Sequence, residues 1–187
     1  NTNIGGLRDI VEEVEGQLDF FITPNTFYLP SRQVNNIRQF RALFMDIDNC
    51  EGDKCYIAYK IFEMSEENII PKPTMIVDSG RGIHIYWRIK NAPYGAIHTW
   101  QELQDLFYMK LKLLGADKRS TDASRVLRMP GTINSRNSEE CRVMWQDNSR
   151  EYSMYDLREN YLREKFKKSI SKAKKNNSKV INNVFFN

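Results

Sequence analysis

The pattern of hydrophobic and polar positions predicts short strands interleaved with helices. Residues 7–14 have helical spacing, while residues 18–22 and 26–29 look extended on either side of a turn at residues 24–25. The short apolar run at residues 41–48, RALFMDID, is followed by polar positions and so indicates a buried strand. Two acidic residues lie at the end of this strand.

The middle of the chain predicts a helix, a hairpin and a second helix. Residues 55–64 fit both a period of two and a partial helical stripe, and we interpret them as a helix. The runs TMIVDSG and IHIYWRI are rich in β-branched and aromatic residues and are separated by residues 80–82, which predicts a β-hairpin. Apolar side chains then recur at helical spacing over residues 97–114, so we expect a helix that packs on the core and ends at Gly115.

The last part of the chain predicts one strand and one capped helix. The polar stretch DKRSTDASRVLRMPGTINSR turns at residues 130–131 and precedes a strand at residues 141–145. Ser153 can cap the helix MYDLRENYLREKFKK. Residues 163–179 are strongly basic and poor in apolar positions, which is typical of a solvated helix end that runs into a linker.

Composition narrows the class of protein. Hydrophobic residues make up 41% and charged residues 28% of the 187 residues, as in a soluble globular protein. Neither a membrane-spanning apolar run nor a secretory signal is recognisable, so a cytoplasmic location is expected. We divide the chain into one domain at residues 1–150 and a C-terminal helix with a basic tail or linker at residues 151–187. The fold class expected is α/β or α+β with a mainly antiparallel sheet.

The cysteines and the net charge give little information about function. Cys50, Cys55 and Cys141 are odd in number and lack CxxC spacing, which argues against a disulfide framework and a structural zinc site. The formal net charge of +4 is modest, and much of the basic excess lies in the C-terminal tail. Any specific chemistry must therefore come from local motifs.

The first such motif is the acidic pair Asp46 and Asp48 at the end of the predicted strand. Side chains two positions apart on a strand project to one face, so the two carboxylates lie together and repel each other unless a cation sits between them. Hard oxygen ligands of this kind suit Mg²⁺ or Mn²⁺. Taken alone the pair is weak support for a metal site, because such a string also marks a strand that ends in solvent.

The second motif, SGRGIH, lies in the predicted hairpin. Gly80 and Gly82 permit backbone conformations and close approaches through which phosphate oxygens can reach amides. Ser79 offers a hydroxyl, Arg81 a charge and His84 a ring nitrogen that can donate to a phosphate or orient one. The alternative is an ordinary glycine-rich turn with a structural histidine, and the motif alone favours that alternative.

The third motif, DASRVLRMPGTIN at residues 122–134, supplies a further acid and two arginines. On a helical turn Arg125 and Arg128 would face the same way and could pair with a triphosphate. Arg125 can equally be a structural partner of Asp122, and Asp117 competes with Asp122 as a third carboxylate. Together the three motifs contain the carboxylates, the phosphate-approach loop and the cations that nucleotidyl transfer needs.

In order and content these motifs, FMDID, SGRGIHIYW and DASRVLRMPGTIN, resemble those of the archaeo-eukaryotic primase superfamily. In particular they resemble the branch of primase-polymerases and replication primases encoded by plasmids, phages and mobile elements. The resemblance implies a catalytic core like an RNA-recognition motif, with an N-terminal α/β unit beside it, and a catalytic domain at residues 1–150. It does not extend beyond about Trp145.

The resemblance also implies roles for individual residues. Asp46, Asp48 and Asp122 would bind two catalytic metal ions, Mg²⁺ or Mn²⁺, and His84 would complete the catalytic set. The residues expected to bind the incoming nucleotide are Ser79, Gly80, Arg81, Gly82, His84, Arg125 and Arg128. The zinc-binding insertion of some superfamily members has no counterpart in the three cysteines.

The function expected is that of a DNA primase-polymerase, which synthesises or extends primers by metal-dependent, template-directed nucleotidyl transfer. Its partners would be a single-stranded DNA template or primer-template, nucleoside triphosphates and, in longer proteins, a helicase or helical accessory domain. One alternative is a non-catalytic DNA-binding replication initiator module, against which the three acids and His84 argue. Another is a relaxase-type nuclease, which needs a tyrosine nucleophile beside paired histidines, whereas HIYW contains one histidine.

Overall fold

The computed structural model describes residues 11–48 and 53–163. The strands in these ranges, in chain order, are β1 (Phe21–Ile22), β2 (Thr26–Phe27), β3 (Ile37–Ile47), β4 (Met75–Asp78), β5 (Ile83–Pro93), β6 (Leu127–Arg128), β7 (Ile133–Asn134), β8 (Glu139–Glu140) and β9 (Arg142–Gln146). The α-helices in the same ranges are α1 (Lys54–Glu66), α2 (Ile97–Leu111) and α3 (Met154–Leu157). This mixture of helices with antiparallel strands confirms the predicted fold class.

A five-stranded sheet in the order β2-β3-β5-β4-β9 forms the centre of the molecule. Each strand is antiparallel to its neighbours. β4 and β5 form the predicted hairpin, and the long strands β3 and β5 lie side by side in the middle of the sheet. β3 begins at Ile37, four residues before the predicted apolar run at residues 41–48. Its last six residues are all buried, as expected for a strand covered on both faces.

Helix α2 closes the edge of β3 that the short strand β2 leaves open. Trp100 Nε1 donates to the carbonyl oxygen of Ala42 at 2.9 Å. Gln104 accepts from the amide of Phe44 at 3.3 Å and donates its own amide to the Phe44 carbonyl. Because buried backbone groups need partners, these two side chains take the place of a neighbouring strand.

Aromatic side chains join the helices to the sheet. Trp100 stacks on Phe40 with ring centroids 5.2 Å apart, and Trp87 lies 4.9 Å from Phe107. The predicted apolar stripe of α2 is buried at its core positions, which are Trp100, Leu103, Phe107 and Leu111. The helix then tightens into a 3₁₀ turn that ends at Gly115, whose φ of 93° is left-handed. The stripe therefore packs on the core, as the sequence predicts.

The segment with ambiguous periodicity forms helix α1. Asp53 lies at its N-cap and accepts a hydrogen bond from the amide of Cys55 at 2.8 Å. Ile61 is fully buried, and Phe62 meets Trp145 of β9 edge to face at 5.1 Å. The cap and this buried face confirm the helical interpretation.

The N-terminal segment of the described chain packs beside the sheet. A helical turn covers residues 11–14, and the rest of the predicted first helix lies outside the described residues. The two extended segments form β1 and β2, with Asn25 buried between them. β1 pairs with β6 and β2 pairs with β3, so the two strands join different parts of the fold.

The described C-terminal residues belong to the same core. Ser153 caps α3 as predicted, with its hydroxyl accepting from the amide of Tyr155. A π-helical turn, Arg158–Leu162, follows, and both Leu157 and Leu162 are buried. The remainder of the predicted helix, the basic tail and Cys50 lie outside the described residues. Within the described part of the chain, no helix has the length and apolar content to cross a bilayer.

Candidate active site

The site is built around Asp46 on β3 and His84 on β5, which lie directly opposite each other in the strand register. The backbone amide and carbonyl of Phe44 bond to the Gln104 side chain, so they do not bond to β5. Asp46 is two residues further along β3 and has the same orientation. Asp46 and His84 therefore form a non-hydrogen-bonded pair, in which the side chains of the two strands lie closest together. His84 Nε2 lies 3.7 Å from Asp46 Oδ1, which is beyond hydrogen-bond distance. Register alone therefore brings a carboxylate and an imidazole together.

Burial changes the protonation of both groups. It raises the pKa of Asp46 to about 7, and the nearby carboxylate of Asp48 adds to this effect while Arg125 opposes it. Burial, with the guanidinium groups of Arg128 and Arg125, lowers the pKa of His84 to about 3. At neutral pH the imidazole is therefore uncharged and can donate through only one of its nitrogens.

Asp117 completes an acidic group with Asp46 and Asp48. One ligand oxygen from each of the three carboxylates lies within 4.8 Å of the other two. The Asp117 amide donates to the Asp46 carbonyl at 2.8 Å. This hydrogen bond lies on the same edge of β3 as those of Trp100 and Gln104, and it holds the Asp117 side chain beside Asp46. Asp46 Oδ1 is buried without a hydrogen-bond partner in the structure. Three such oxygens suit a hard divalent cation.

Asp122 is not brought into this group, contrary to the expectation from the motif. Its side chain is exposed, and one carboxylate oxygen accepts from the amide of Ser124 at 2.9 Å in a local turn. The competing third carboxylate, Asp117, occupies the position instead. The difference arises because the 3₁₀ turn Lys118–Thr121 directs Asp117 back towards β3 and leaves Asp122 beyond it.

The two arginines of the third motif have separate positions. Arg125 directly follows a turn at residues 123–124 and Arg128 lies on β6, so they do not share a helical turn. Arg125 Nη2 lies 3.7 Å from Asp46 Oδ2 and 3.8 Å from Asp117 Oδ2, which makes it a counter-charge to the acidic group rather than a partner of Asp122. Its Nε atom is buried without a hydrogen-bond partner in the structure.

Arg128 is held by a residue that the motifs do not include. Its guanidinium donates to the carboxylate of Asp19 and to the carbonyl of Ile133 at 3.3 Å. Hydrogen bonds from Ser135, and then from Arg128, lower the pKa of Asp19 to about 2. Arg128 is only 8% exposed. The expected nucleotide contact of Arg128 remains a prediction, but its charge already has a partner.

The glycine-rich loop between β4 and β5 uses most of its amides internally. The amide of Gly80 donates to Asp78 Oδ1 at 2.9 Å, and the amide of Gly82 donates to Ser79 Oγ at 3.2 Å. The Ser79 amide donates to the Gly82 carbonyl at 2.9 Å. A phosphate at this loop would therefore depend on side chains, among which Ser79, Arg81 and His84 line the adjoining cleft.

These groups share one cleft of about 390 Å³. Its charged lining residues are the acids Asp19, Asp46 and Asp48 and the arginines Arg81, Arg119, Arg125, Arg128 and Arg136. The cleft thus places anionic metal-ligand candidates beside a cationic wall. That combination can hold divalent ions and a polyphosphate together, since the carboxylates would balance the charge of the cations and the arginines that of the phosphates.

Sequence reasoning missed Asp19, Arg119 and Arg136 as lining residues of the cleft. Arg119 Nε donates to Asp117 Oδ2 at 3.1 Å, so its position follows from the turn that carries Asp117. Asp19 has a φ of 58°, which is uncommon outside glycine, but this gives no signal in the sequence. Site residues on the irregular N-terminal segment can be recognised only from their contacts with distant parts of the chain.

Comparison with known proteins gives one relative by sequence and several neighbours by structure. No family model matches the chain. A replication protein of Clostridium perfringens is 36% identical over 143 residues, which are 75% of this chain and 34% of that protein. The chain therefore spans about a third of the length of this curated relative.

Two solved structures are similar to that of this chain. The AEP domain of the cyanophage S-2L primase-polymerase (PrimPol) superposes with a TM-score of 0.56 at 21% identity, over 83% of this chain and 75% of that chain. Primase RepB′ superposes with a TM-score of 0.45 at 10% identity, over 84% of this chain and 49% of that chain. The first likeness shows a common fold.

Proposed function

We propose, from the premise that this chain has the fold of the archaeo-eukaryotic primase superfamily, that it is the catalytic region of a replication primase-polymerase. The reaction proposed is metal-dependent, template-directed joining of nucleotides. The observation that carries the proposal is the convergence of Asp46, Asp48 and Asp117 within 4.8 Å beside an arginine-lined cleft. A likeness of fold alone does not assign a function, whereas this site has the donors that the chemistry requires.

The acidic group fits Mg²⁺ or Mn²⁺. Asp46 carries a buried oxygen without a hydrogen-bond partner, and its neighbours Asp48 and Asp117 help to raise its pKa. A divalent cation among these three carboxylates would remove their mutual repulsion and favour their ionised forms. When bound, such ions neutralise charge on the phosphate oxygens that react.

The other side chains of the cleft would bind and orient the triphosphate. Arg125 already lies beside the acids, so its guanidinium can contact phosphate without moving far. Ser79 and Arg81 line the cleft from the hairpin loop, and neutral His84 can donate a hydrogen bond to a phosphate oxygen. In the proposed step a primer hydroxyl, or that of an initiating nucleotide, attacks the α-phosphate and pyrophosphate leaves.

The biological setting follows from the relatives and stays part of the proposal. One relative is named as a replication protein and one structural neighbour as a primase-polymerase, which favours a role in DNA replication. The replicon proposed, from the motifs, is a plasmid or another mobile element. Single-stranded DNA or a primer-template would be the polymer partner. A helicase or helical domain beyond this segment, and the division of the chain at residue 150, are also proposals.

The test is nucleotide incorporation on a single-stranded template with Mn²⁺ and labelled nucleotides. We expect the double variant Asp46→Asn, Asp48→Asn to reduce incorporation by about 1,000-fold or more, since metal-assisted charge stabilisation is worth several kcal/mol. Asp117→Asn should cause a loss of about 100-fold or more for the same reason, while Asp122→Asn should change the rate by less than about tenfold. Thermal unfolding of each variant checks that the fold is retained.

Mn²⁺ binding, followed by electron paramagnetic resonance without nucleotide, gives a second readout. We expect Asp117→Asn to weaken it and Asp122→Asn to leave it unchanged. Undiminished incorporation by the double variant would show that the acidic group does not support catalysis. A wild-type protein that binds DNA without any incorporation would instead favour the non-catalytic initiator module.

A further inference from the structure

The aromatic ring of Phe21 lies at the mouth of the cleft and has no part in the site described above. Its side chain is 48% exposed. The ring lines both the 390 Å³ cleft that contains the acids and an adjoining open cavity of about 740 Å³. Val126 also lines both, and Arg32 lines the outer cavity. Phe21 and Val126 therefore form the wall that the two cavities share.

The strand register fixes the position of this ring. Phe21 on β1 is directly opposite Arg128 on β6, so both side chains project to the same face of the pair. The guanidinium carbon of Arg128 lies 4.8 Å from the ring centroid, a cation-π distance. Because Asp19 anchors Arg128 in turn, the ring is held in place before any ligand arrives.

A half-exposed phenylalanine beside an arginine-lined cleft has the chemistry of a nucleobase subsite. The arginines of the cleft attract phosphate, and a flat apolar ring at its mouth offers a surface on which any base can stack. Arg32 extends the positive charge into the outer cavity.

We propose that Phe21, with Val126 beside it, forms a stacking subsite for the base of a nucleotide whose phosphates lie among the arginines of the cleft. This inference rests on the proposed function for the nature of the ligand. The base can belong to the incoming nucleotide or to the template strand, since both present the same aromatic face. In either case the outer cavity receives the base and the inner cleft receives the phosphates.

The test is equilibrium binding to the full chain, measured separately for a nucleoside triphosphate, a single-stranded oligonucleotide and inorganic tripolyphosphate. Phe21→Ala should weaken binding of the nucleoside triphosphate, the oligonucleotide, or both by about tenfold, as loss of a base-stacking contact does. Tripolyphosphate has no base, so its binding should be unchanged. Phe21→Trp should retain affinity, whereas Phe21→Leu, which is apolar but has no aromatic face, should behave like Phe21→Ala.

Tyr155→Ala provides the matched control, because Tyr155 is a 67% exposed aromatic residue that lines neither cavity. It should leave all three affinities unchanged. Loss for the nucleoside triphosphate alone assigns the base to the incoming nucleotide, and loss for the oligonucleotide alone assigns it to the template.

Unchanged binding of both base-containing ligands by Phe21→Ala, or an equal loss of tripolyphosphate binding, overturns the inference. These measurements need no turnover. A wild-type protein that binds nucleotide through Phe21 but fails to incorporate it would contradict the proposed function and leave the stacking subsite standing. An active wild-type enzyme whose ligand affinities are unaffected by Phe21→Ala would contradict the stacking subsite and leave the proposed function standing.

Discussion

Gly82 shows how a single residue in a functional motif can be required by packing. A Cβ atom at this position would lie 2.0 Å from the carbonyl oxygen of Ile47, because the hairpin loop crosses directly over the end of β3. Gly80 has a φ of 93°, and a Cβ there would meet the Asn134 side chain at 3.0 Å. Both glycines are thus needed to bring the loop against the acids, whether or not a phosphate binds their amides.

Gly82→Ala should therefore destabilise the protein strongly. We expect its free energy of unfolding in urea to fall by about 3 kcal/mol, at the upper end of the usual cost of overpacking. Gly95→Ala is the matched control, since nothing lies within 4 Å of its Cβ position. Because Gly95 has no left-handed φ, alanine should stabilise the protein by about 0.4–1 kcal/mol, through a lower entropy of the unfolded chain. Equal stabilities for the two variants would contradict the close approach of the loop to β3.

Helix α1 supports the hairpin loop between β4 and β5 through one lysine. Lys54 Nζ donates to Asp78 Oδ1 at 2.8 Å, to the Gly80 carbonyl at 2.5 Å and to Glu139 Oε2 at 2.9 Å. Burial alone would lower the pKa of Lys54, but the hydrogen bonds to Asp78 and Glu139 raise it overall. One side chain thus ties the first turn of α1 to the end of β4 and to β8.

Removing this link should loosen the loop. We expect Lys54→Met to lower the free energy of unfolding by about 1–3 kcal/mol, because the buried Asp78 carboxylate loses its nearer cationic partner and is left with Arg142, whose Nε lies 3.9 Å away. Lys60→Met makes the same chemical change on the same helix, but Lys60 pairs with Glu63 near the surface. It should have no measurable effect on urea unfolding. A similar loss in both variants would show that the effect comes from α1 itself.

The distribution of charge over the protein matters more for ligand binding than its net charge. The formal net charge is only +4, yet five arginines, against three acids, line the cleft. A polyanion would therefore be attracted to one surface even though the chain as a whole is only weakly basic. This uneven distribution predicts binding that depends on salt and on individual arginines of the cleft.

The salt dependence of single-stranded DNA binding tests this arrangement. Arg136→Ala should reduce the slope of log affinity against log salt by about 0.7, the contribution of one phosphate contact on a single strand. Arg150→Ala removes an arginine that pairs with Asp147 and does not line the cleft. It should leave the slope unchanged. If the two variants give the same slope, DNA does not bind through Arg136.

The local pattern of apolar and polar residues was sufficient to predict the strands and the helix around the site. The apolar run of β3, the glycine-separated runs of the hairpin and the stripe of α2 each predict their own conformation, because periodicity and turn chemistry act over a few residues. The predicted fold class and the resemblance to archaeo-eukaryotic primases are confirmed at the level of the fold. The weakest predictions lay on irregular segments, where no periodicity operates.

Which distant groups meet depends on how the chain folds as a whole. Asp117 reaches the acidic group through a backbone hydrogen bond to Asp46, and nothing in the spacing of the third motif distinguishes it from Asp122. Arg128 is joined to Asp19 across a separation of 109 residues. From local pattern alone follow the central strands β3, β4, β5 and β9, the helices, and the two acids at the end of β3, whereas the short strand β6 that carries Arg128 was not predicted. Contacts between segments far apart in the chain depend on strand pairing, which local propensities do not encode.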